Sequence, residues 1–254
     1  MVSVCAVVPV FNHVHAIGET VRGLRAHDLT VVMVDDGSDE ACAAELDRLA
    51  VADENVRLVR LPINRGKGAA VTAGLHAAEA AGFTHALQID ADGQHDSADV
   101  PRLLEVASGA PAAVVCGRPV FDSSIPKNRL YLRYLTHVMV WLNTLSLAIP
   151  DSMCGFRVYP LAVVLPVIDR ERPGPRMDFD IEVLVRLNWA DVQMKWLPVR
   201  VSYPADGVSH FRLVRDNARI TAMHLRLFAG MLRRLPRLLL RNLRSTQAAS
   251  GVCA

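Results

Sequence analysis

The stretch His85-Ala86-Leu87-Gln88-Ile89-Asp90-Ala91-Asp92 brings a strand-like apolar run directly to a pair of carboxylates. Such a run is typical of a buried strand, and parallel sheets bind ligands at the carboxyl ends of their strands. Because Mg²⁺ and Mn²⁺ favour carboxylate oxygens, the pair predicts a cation that holds phosphate groups. A solvated turn that caps the next helix is the alternative, and the pair alone does not decide between the two.

Strand-like and helix-like runs alternate through the amino-terminal half. The strand-like runs are rich in Val and Leu without polar alternation, which is typical of strands buried on both faces, so we expect an α/β fold with a mostly parallel central sheet covered by helices. The predicted strands are Val4–Val10, Leu29–Val34, Val56–Leu61, His85–Ile89 and Ala112–Cys116. The predicted helices are Ile17–Arg25, Ala41–Leu49, Ala69–Ala81 and Val100–Ala107, followed in the less regular second half by Lys127–Ile149 and Phe179–Asn188, with one or two strands in Val192–Tyr203.

Composition excludes several protein classes. A formal net charge of +2 over 254 residues gives no sign of nucleic-acid binding. Five cysteines without a Cys-x-x-Cys spacing indicate neither a disulfide framework nor a structural zinc site, and they suit a reducing compartment. The start of the chain, residues 1–10, is typical of a core strand rather than a signal peptide, and no apolar stretch reaches the roughly 20 residues of a membrane span.

Polar motifs follow the predicted strands in order. They are Pro-Val-Phe-Asn (9–12), Asp-Asp-Gly-Ser (35–38), Asn-Arg-Gly-Lys-Gly (64–68), Asp-Ala-Asp-Gly-Gln-His (90–95) and Gly-Arg (117–118). Taken alone, the 35–38 motif is also compatible with a turn before a serine helix cap. The 64–68 motif lacks the spacing of a Walker A loop. In the third, glycines would let backbone amides approach an anion.

The ordered motifs resemble those of family 2 glycosyltransferases, which have the GT-A fold, and are most similar to the dolichyl- and polyprenyl-phosphate sugar synthases. The resemblance continues through Asp-Ser-Met-Cys-Gly-Phe-Arg (151–157) and Gly-Val-Ser-His (207–210), so it covers about residues 2–215. Over fewer residues, the carboxyl-terminal third also resembles bacterial glycosyltransferases associated with aryl-polyene lipids. That second likeness admits a lipid hydroxyl as the acceptor.

The resemblance implies a role for each matching position. It implies a cation, Mg²⁺ or Mn²⁺, on Asp90, Asp92 and Gln94, and catalytic roles for Asp180, Asp92 and His210. Asp180 would be the general base, or a positioning group if the acceptor is already a phosphate. Donor contacts are implied for Pro9, Asn12, Asp35, Asp36, Arg65, Lys67, Asp90, Arg118 and Arg212, and acceptor-side roles for Asp151, Cys154, Gly155 and Arg157. The chain departs from the family pattern at His13, at His210 and at Phe179, where relatives have Glu, Lys and Glu.

The implied activity is an inverting, metal-dependent transfer of a hexosyl or N-acetylhexosaminyl group. The donor would be a UDP- or GDP-sugar, and the acceptor a polyprenyl phosphate or a glycolipid or lipid hydroxyl at the inner membrane face. Two alternatives stay open. A sugar-phosphate nucleotidyltransferase would carry a Gly-rich, Arg-bearing loop after the first strand, and a non-catalytic nucleotide-sugar-binding scaffold would keep the metal site without turnover.

The carboxyl-terminal segment is basic. Nine arginines stand between residues 211 and 244, at 212, 215, 219, 226, 233, 234, 237, 241 and 244, against the single acid Asp216. Most of them form one helical stripe that Pro236 should kink or interrupt, and the helix is expected either to pack on the domain or to bind an anionic membrane surface. The 127–147 segment also has the composition of an interfacial helix. We therefore predict a GT-A domain over residues 1–210, a basic amphipathic tail over 211–244, disorder over 245–254, and a cytoplasmic protein peripheral on the inner face of the cytoplasmic membrane.

Overall fold

The computed structural model describes the backbone of residues 2–120, 127–202 and 213–250. Its strands are β1 (Val4–Val10), β2 (Thr30–Asp35), β3 (Val56–Arg60), β4 (His85–Gln88), β5 (Val114–Val120), β6 (Arg157–Pro160) and β7 (Met194–Arg200). Its helices are α1 (Ile17–Arg25), α2 (Glu40–Ala52), α3 (Lys67–Ala80), α4 (Val100–Gly109), α5 (Lys127–Thr144), α6 (Leu161–Glu171), α7 (Phe179–Trp189) and α8 (Leu213–Ser250). A single 3-10 turn at Ser97–Asp99 precedes α4.

The strands form one seven-stranded sheet in the order β3-β2-β1-β4-β6-β5-β7. Neighbours pair in parallel except at β6, which runs antiparallel to both β4 and β5. This arrangement confirms the predicted α/β fold with a mostly parallel sheet. The carboxyl ends of β1, β2 and β4 consequently lie side by side at one edge, where the predicted motifs follow them.

Helices cover both faces of the sheet, and the apolar side chains of the strands divide between two cores. Helices α1, α2 and α4 pack with one face of β1 and β2, through residues such as Leu24, Leu46 and Leu103. Helices α3, α6, α7 and α8 pack on the other face, through residues such as Leu75 and Leu184. The absence of polar alternation in the strands follows from this double coverage.

Several elements differ from the sequence-based expectation. β6 and α6 were not predicted, and β5 continues through Gly117 and Arg118 instead of ending before them. Helix α5 ends at Thr144 rather than Ile149, and Leu145 follows with a left-handed φ of 49°.

Helix α8 continues through Pro236, so this proline does not interrupt the helix. Proline removes one backbone donor, and because Pro236 lies on the exposed side, water can satisfy the carbonyl that loses its partner. The helix packs against α5 and α7 and buries Met223, Leu227 and Met231. Among the described helices, none is both long enough and apolar enough to cross a bilayer. The predicted domain bounds and the disorder over 245–254 stay predictions.

Candidate active site

An ammonium between two carboxylates lies at the carboxyl end of β4. Lys67, the first residue of α3, places its Nζ 2.7 Å from Asp90 Oδ1 and 2.7 Å from Asp180 Oδ2. Although burial disfavours the charged ammonium, the two carboxylates raise the pKa of Lys67 above its ordinary value. We call Lys67, Asp90 and Asp180 the charged cluster. It joins residues from three elements that are distant in sequence.

Asp180 is held from three sides. Gln88 Nε2 donates to Asp180 Oδ1 at 3.0 Å, and Arg157 Nη1 lies 3.8 Å from the same oxygen and donates to the backbone carbonyl of Asp180 at 2.9 Å. Burial opposes ionisation, but the positive charges of Lys67 and Arg157 hold the pKa of Asp180 below its ordinary value. Asp180 is therefore a fixed, ionised and weakly basic carboxylate.

The sequence-based reasoning missed Gln88. The available signal was a polar side chain in a mostly apolar run, two residues before Asp90. Its side chain is fully buried, and its Nε2 donates to Asp180, whereas its Oε1 has no hydrogen-bond partner among the described residues.

The loop formed by residues 151–157 closes over the charged cluster. A Cβ atom at Gly155 would lie 2.8 Å from Lys67 Nζ and 3.0 Å from Asp90 Oδ1, so this position requires glycine. Asp151 anchors the start of the loop, because its Oδ1 accepts the backbone N–H groups of residues 153 and 154, and Arg133 on α5 pairs with its other oxygen. Burial opposes ionisation, but His137, whose Nε2 lies 3.5 Å from Asp151 Oδ2, together with Arg133 and the amide of Cys154 lowers the pKa of Asp151 to about 2.

Cys154 lies in the same loop and is buried, and burial raises its pKa to about 12. A thiol with that pKa is not a nucleophile at neutral pH. A nucleophilic role for Cys154 is therefore disfavoured, and its acceptor-side role stays a prediction.

Asp35 and Asp36 at the end of β2 hold their own loops. Asp35 accepts the backbone N–H of Ser38 at 2.9 Å and pairs with Arg60 at 3.0 Å, whereas Asp36 accepts the backbone N–H groups of Arg65 and Gly66, each at 2.7 Å. The anion that these two amides bind is thus the Asp36 carboxylate. Because both aspartates are only 2% exposed, a contact with a nucleotide stays a prediction for them.

The other predicted donor residues lie at different places. Pro9 is buried in β1 beside Val34, and Asn12 adopts a left-handed φ of 55° and accepts the backbone N–H of Asp39 at 2.8 Å. Arg65 exposes its side chain at the edge formed by these loops, while Arg118 is exposed on β5 and does not stand at a strand end. His210 and Arg212 lie outside the described residues.

The residues after β4 fit a divalent cation. Asp92 accepts the backbone N–H of Gln94 at 3.1 Å, and burial together with the neighbouring charge of Asp90 raises the pKa of Asp92. Two carboxylates that repel each other in a partly buried place are stabilised by a cation between them. Within the described residues, no group of three or more His, Cys, Asp or Glu is placed to hold a metal. Two carboxylates suit Mg²⁺ or Mn²⁺, since Mg²⁺ takes its remaining ligands from water and phosphate.

A cavity of about 600 Å³ opens beside Asp90. Its lining includes Thr20 of α1, His95, and Arg200 at the end of β7. The Nδ1 atom of His95 is buried without a hydrogen-bond partner among the described residues, and burial lowers the pKa of this histidine, so its ring is neutral. The volume is within the range of roughly 300–1,000 Å³ that small-molecule sites occupy.

The sheet order, the single reversed strand and the site beside β4 define a GT-A glycosyltransferase fold. A solved structure of glucosyl-3-phosphoglycerate synthase from Mycobacterium tuberculosis, in complex with Mn²⁺ and uridine-diphosphate-glucose, matches 91% of this chain and 78% of that chain, with a TM-score of 0.62 and 17% identity. At this identity the likeness concerns the fold.

The sequence places the chain within that class. Residues 5–164 match Glycosyl transferase family 2, and the chain belongs to this family. It is 27% identical to a dolichyl-phosphate beta-glucosyltransferase of Dictyostelium discoideum, over 77% of this chain and 63% of that protein. It is 26% identical to an undecaprenyl-phosphate mannosyltransferase of Micrococcus luteus, over 69% of this chain and 75% of that protein.

Proposed function

We propose that the protein transfers a sugar from a nucleoside-diphosphate sugar to a lipid-linked acceptor. The observation that carries the proposal is the charged cluster of Lys67, Asp90 and Asp180, closed by the 151–157 loop beside a cavity of ligand size. Membership of the family and relatives named dolichyl-phosphate and undecaprenyl-phosphate transferases support it. Those names favour glucose or mannose over an N-acetylhexosamine.

On the donor side, Asp90, Asp92 and Gln94 would hold a divalent cation. Bound there, the cation stabilises the charge that develops on the leaving diphosphate. A neighbour of the same fold was solved with Mn²⁺ and UDP-glucose, which supports this assignment and a UDP-sugar among the donors to test. Lys67, which lies 2.7 Å from Asp90 Oδ1 and 2.8 Å from Asp90 Oδ2, would share Asp90 with the cation.

On the acceptor side, the reaction would proceed by one inverting displacement. The acceptor oxygen forms a bond to the anomeric carbon while the bond from that carbon to the diphosphate oxygen breaks, and the electron pair leaves with the diphosphate. Asp180 is a weak base, because Lys67 and Arg157 hold its pKa down. A phosphate acceptor is already anionic and needs no base, so the site favours a polyprenyl phosphate over a lipid hydroxyl. Asp180 would then orient Lys67 and the 151–157 loop.

The alternatives receive less support. A nucleotidyltransferase would bind a triphosphate with a Gly-rich loop after β1, but this chain has Pro9 to His13 there. Membership of the glycosyltransferase family also argues against a nucleotidyltransferase. A scaffold without turnover is the remaining alternative, and it differs from the transferase only in its kinetics.

A single assay separates the three. The protein is incubated with Mg²⁺ or Mn²⁺, a panel of UDP- and GDP-sugars and a polyprenyl phosphate, and release of nucleoside diphosphate is followed with and without EDTA. We expect release that requires both the lipid and the cation. Pyrophosphate consumption would identify a nucleotidyltransferase, and tight donor binding without release would identify a scaffold.

We place the protein at the inner face of the cytoplasmic membrane, where nucleotide sugars and lipid-linked acceptors meet. Fractionation of cells that express it, with a salt wash of the membranes, tests this placement. A protein recovered wholly in the unsedimented fraction at low salt would contradict it.

A further inference from the structure

Within residues 133–144, helix α5 covers the polar side chains of Arg133, Asn143 and Thr144 together with the apolar Val140, and it exposes several large apolar side chains. Asn143 and Thr144 are fully buried, and Arg133 is mostly covered where it pairs with Asp151. Asn143 lies against α7 and α8, because its backbone carbonyl accepts Trp189 Nε1 at 2.9 Å and its side chain contacts His224 at 3.2 Å. Large apolar side chains take the exposed side of α5, namely Tyr134, Leu135, Val138 and Leu142. This part of α5 therefore presents an apolar face that the described residues of the domain do not cover.

Helix α8 has a second exposed apolar face besides the one that it buries. It packs on the domain through Met223, Leu227, Met231 and Leu238, which are nearly inaccessible. Leu225, Leu232, Leu239 and Leu243 are between 49% and 65% exposed. Their spacing of seven, seven and four residues places them within about 40° of arc at 100° per residue. We call these four residues the leucine stripe.

Arginines run parallel to the leucine stripe. Arg219, Arg226, Arg233 and Arg237 have the same spacing and lie about 120° around the helix axis from the leucine stripe. Arg226 and Arg237 are more than half exposed even though they reach Glu182 and Asp191 of the domain, and Arg233 is exposed. One side of α8 therefore offers apolar side chains, and the next side offers arginines, of which Arg219 also pairs with Asp216 on the same helix.

We propose that the leucine stripe, together with the exposed apolar face of α5, is a docking surface for an anionic lipid bilayer. Leucine and tyrosine side chains enter the acyl-chain boundary of a bilayer, and the flanking arginines meet anionic headgroups. A second copy of this chain on the same surface would bring like-charged arginine stripes near each other, which disfavours that occupant. The proposal rests on the proposed function, since a lipid-linked acceptor resides in a bilayer.

The surface is connected to the candidate active site. Arg133 of α5 pairs with Asp151, the first residue of the loop whose Gly155 lies against the charged cluster. The exposed side of α5 and the loop are thus fixed to the same buried ion pair. Docking of α5 brings the acceptor-side loop to the lipid surface without any movement of the domain.

Vesicle binding tests the surface. The full chain and its variants are sedimented with phosphatidylcholine vesicles, with and without phosphatidylglycerol, at low and high salt. The test variant is Leu232→Gln/Leu239→Gln, and the control is Val51→Gln, which changes an 89% exposed residue of α2 on the opposite face of the sheet. We expect the wild type to bind the anionic vesicles, the double variant to lose at least tenfold in affinity, and the control to bind like the wild type. Arg233→Gln should lose about fivefold, and only with phosphatidylglycerol present.

Other results would overturn the proposal. These are a wild type that does not bind anionic vesicles, a double variant that binds as tightly as the wild type, and a control that loses as much as the double variant. A concentration-dependent dimer that Leu232→Gln/Leu239→Gln abolishes would assign the surface to a second copy. Turnover with a short-chain, water-soluble polyprenyl phosphate is measured on the same proteins and separates the two proposals. Vesicle binding without turnover refutes the proposed function alone, and turnover without vesicle binding refutes the docking surface alone.

Discussion

Replacing Gly155 by alanine should reduce turnover and leave the fold intact. A Cβ atom at this position would lie 2.8 Å from Lys67 Nζ, 2.9 Å from Gln88 Nε2 and 3.0 Å from Asp90 Oδ1. Ordinary contact begins at 3.4 Å, so these atoms must retreat by about 0.6, 0.5 and 0.4 Å. Because all three are ends of side chains, the backbone can stay where it is while the charged cluster shifts.

The size of the effect follows from that shift. A misplacement of about 1 Å in catalytic groups costs about 100-fold in rate, so half of that distance should lower kcat by roughly 10- to 100-fold. The free energy of unfolding should fall by about 1 kcal/mol, which is at the low end of the cost of adding a methyl group to a packed interior. For a chain of this size, that loss lowers Tm by about 2–4 °C.

The assay is release of nucleoside diphosphate with a polyprenyl phosphate acceptor, accompanied by thermal unfolding. Gly109→Ala is the matched control, since a Cβ atom at residue 109 meets nothing within 4 Å. Full activity of Gly155→Ala, or an equal loss in Gly109→Ala, would refute the argument that this loop packs on catalytic groups.

Asp92→Asn removes a predicted ligand of the cation, so it should lower turnover by more than 100-fold. Because it also removes one of two carboxylates that repel each other, Tm should stay equal or rise. Activity that survives would show that the cation does not need Asp92. Arg133→Met leaves the Asp151 carboxylate buried without its main partner and should lower the free energy of unfolding by about 3–5 kcal/mol in urea titration. The exposed pair partner Arg102 serves as its control, because Arg102→Met should cost less than about 1 kcal/mol, and equal losses would contradict the distinction. Burial lowers the pKa of His224 from 6.5 to about 4, so the unfolded chain binds the proton of this histidine more tightly than the folded chain. Stability therefore falls as the pH is lowered from 6.5 toward 4. Between pH 7 and pH 5, the free energy of unfolding should fall by about 2 kcal/mol more in the wild type than in His224→Gln. If the free energies of unfolding of the two proteins change in parallel with pH, the reasoning is wrong.

The sequence predicts the fold where each element carries its own signal. β1 and β2 are almost wholly apolar runs and β4 belongs to a mostly apolar one, and each is followed by a polar motif, so their order and their common edge could be inferred. β6 has only four residues and runs into α6 at Pro160 without a loop between them, so the strand is too short to carry a periodic signal of its own. The reversal of β6 also depends on pairing with β4 and β5, which are distant in the chain.

The candidate site shows the same division between local and long-range information. The carboxylates of Asp90 and Asp180 belong to recognisable motifs, but their meeting across Lys67 depends on how α3, β4 and α7 pack. The Asp35-Asp36 motif suggested ligand contacts, whereas in the fold its oxygens accept the backbone N–H groups of neighbouring loops. A motif identifies which oxygens are present, and only the three-dimensional structure shows which of them are already occupied.

Periodicity identifies two faces of a helix without showing which face turns inward. In α5 the polar residues Arg133 and Asn143 face the domain, because their partners Asp151 and His224 come from the following loop and from α8. For α8, packing on the domain and binding to a membrane were posed as alternatives, yet the helix has a buried face and a separate exposed apolar face, so its packing on the domain does not exclude the proposed membrane binding. The same buried contacts that attach α8 to the domain leave the leucine stripe exposed, so a substitution in the stripe can test membrane binding without loosening the helix.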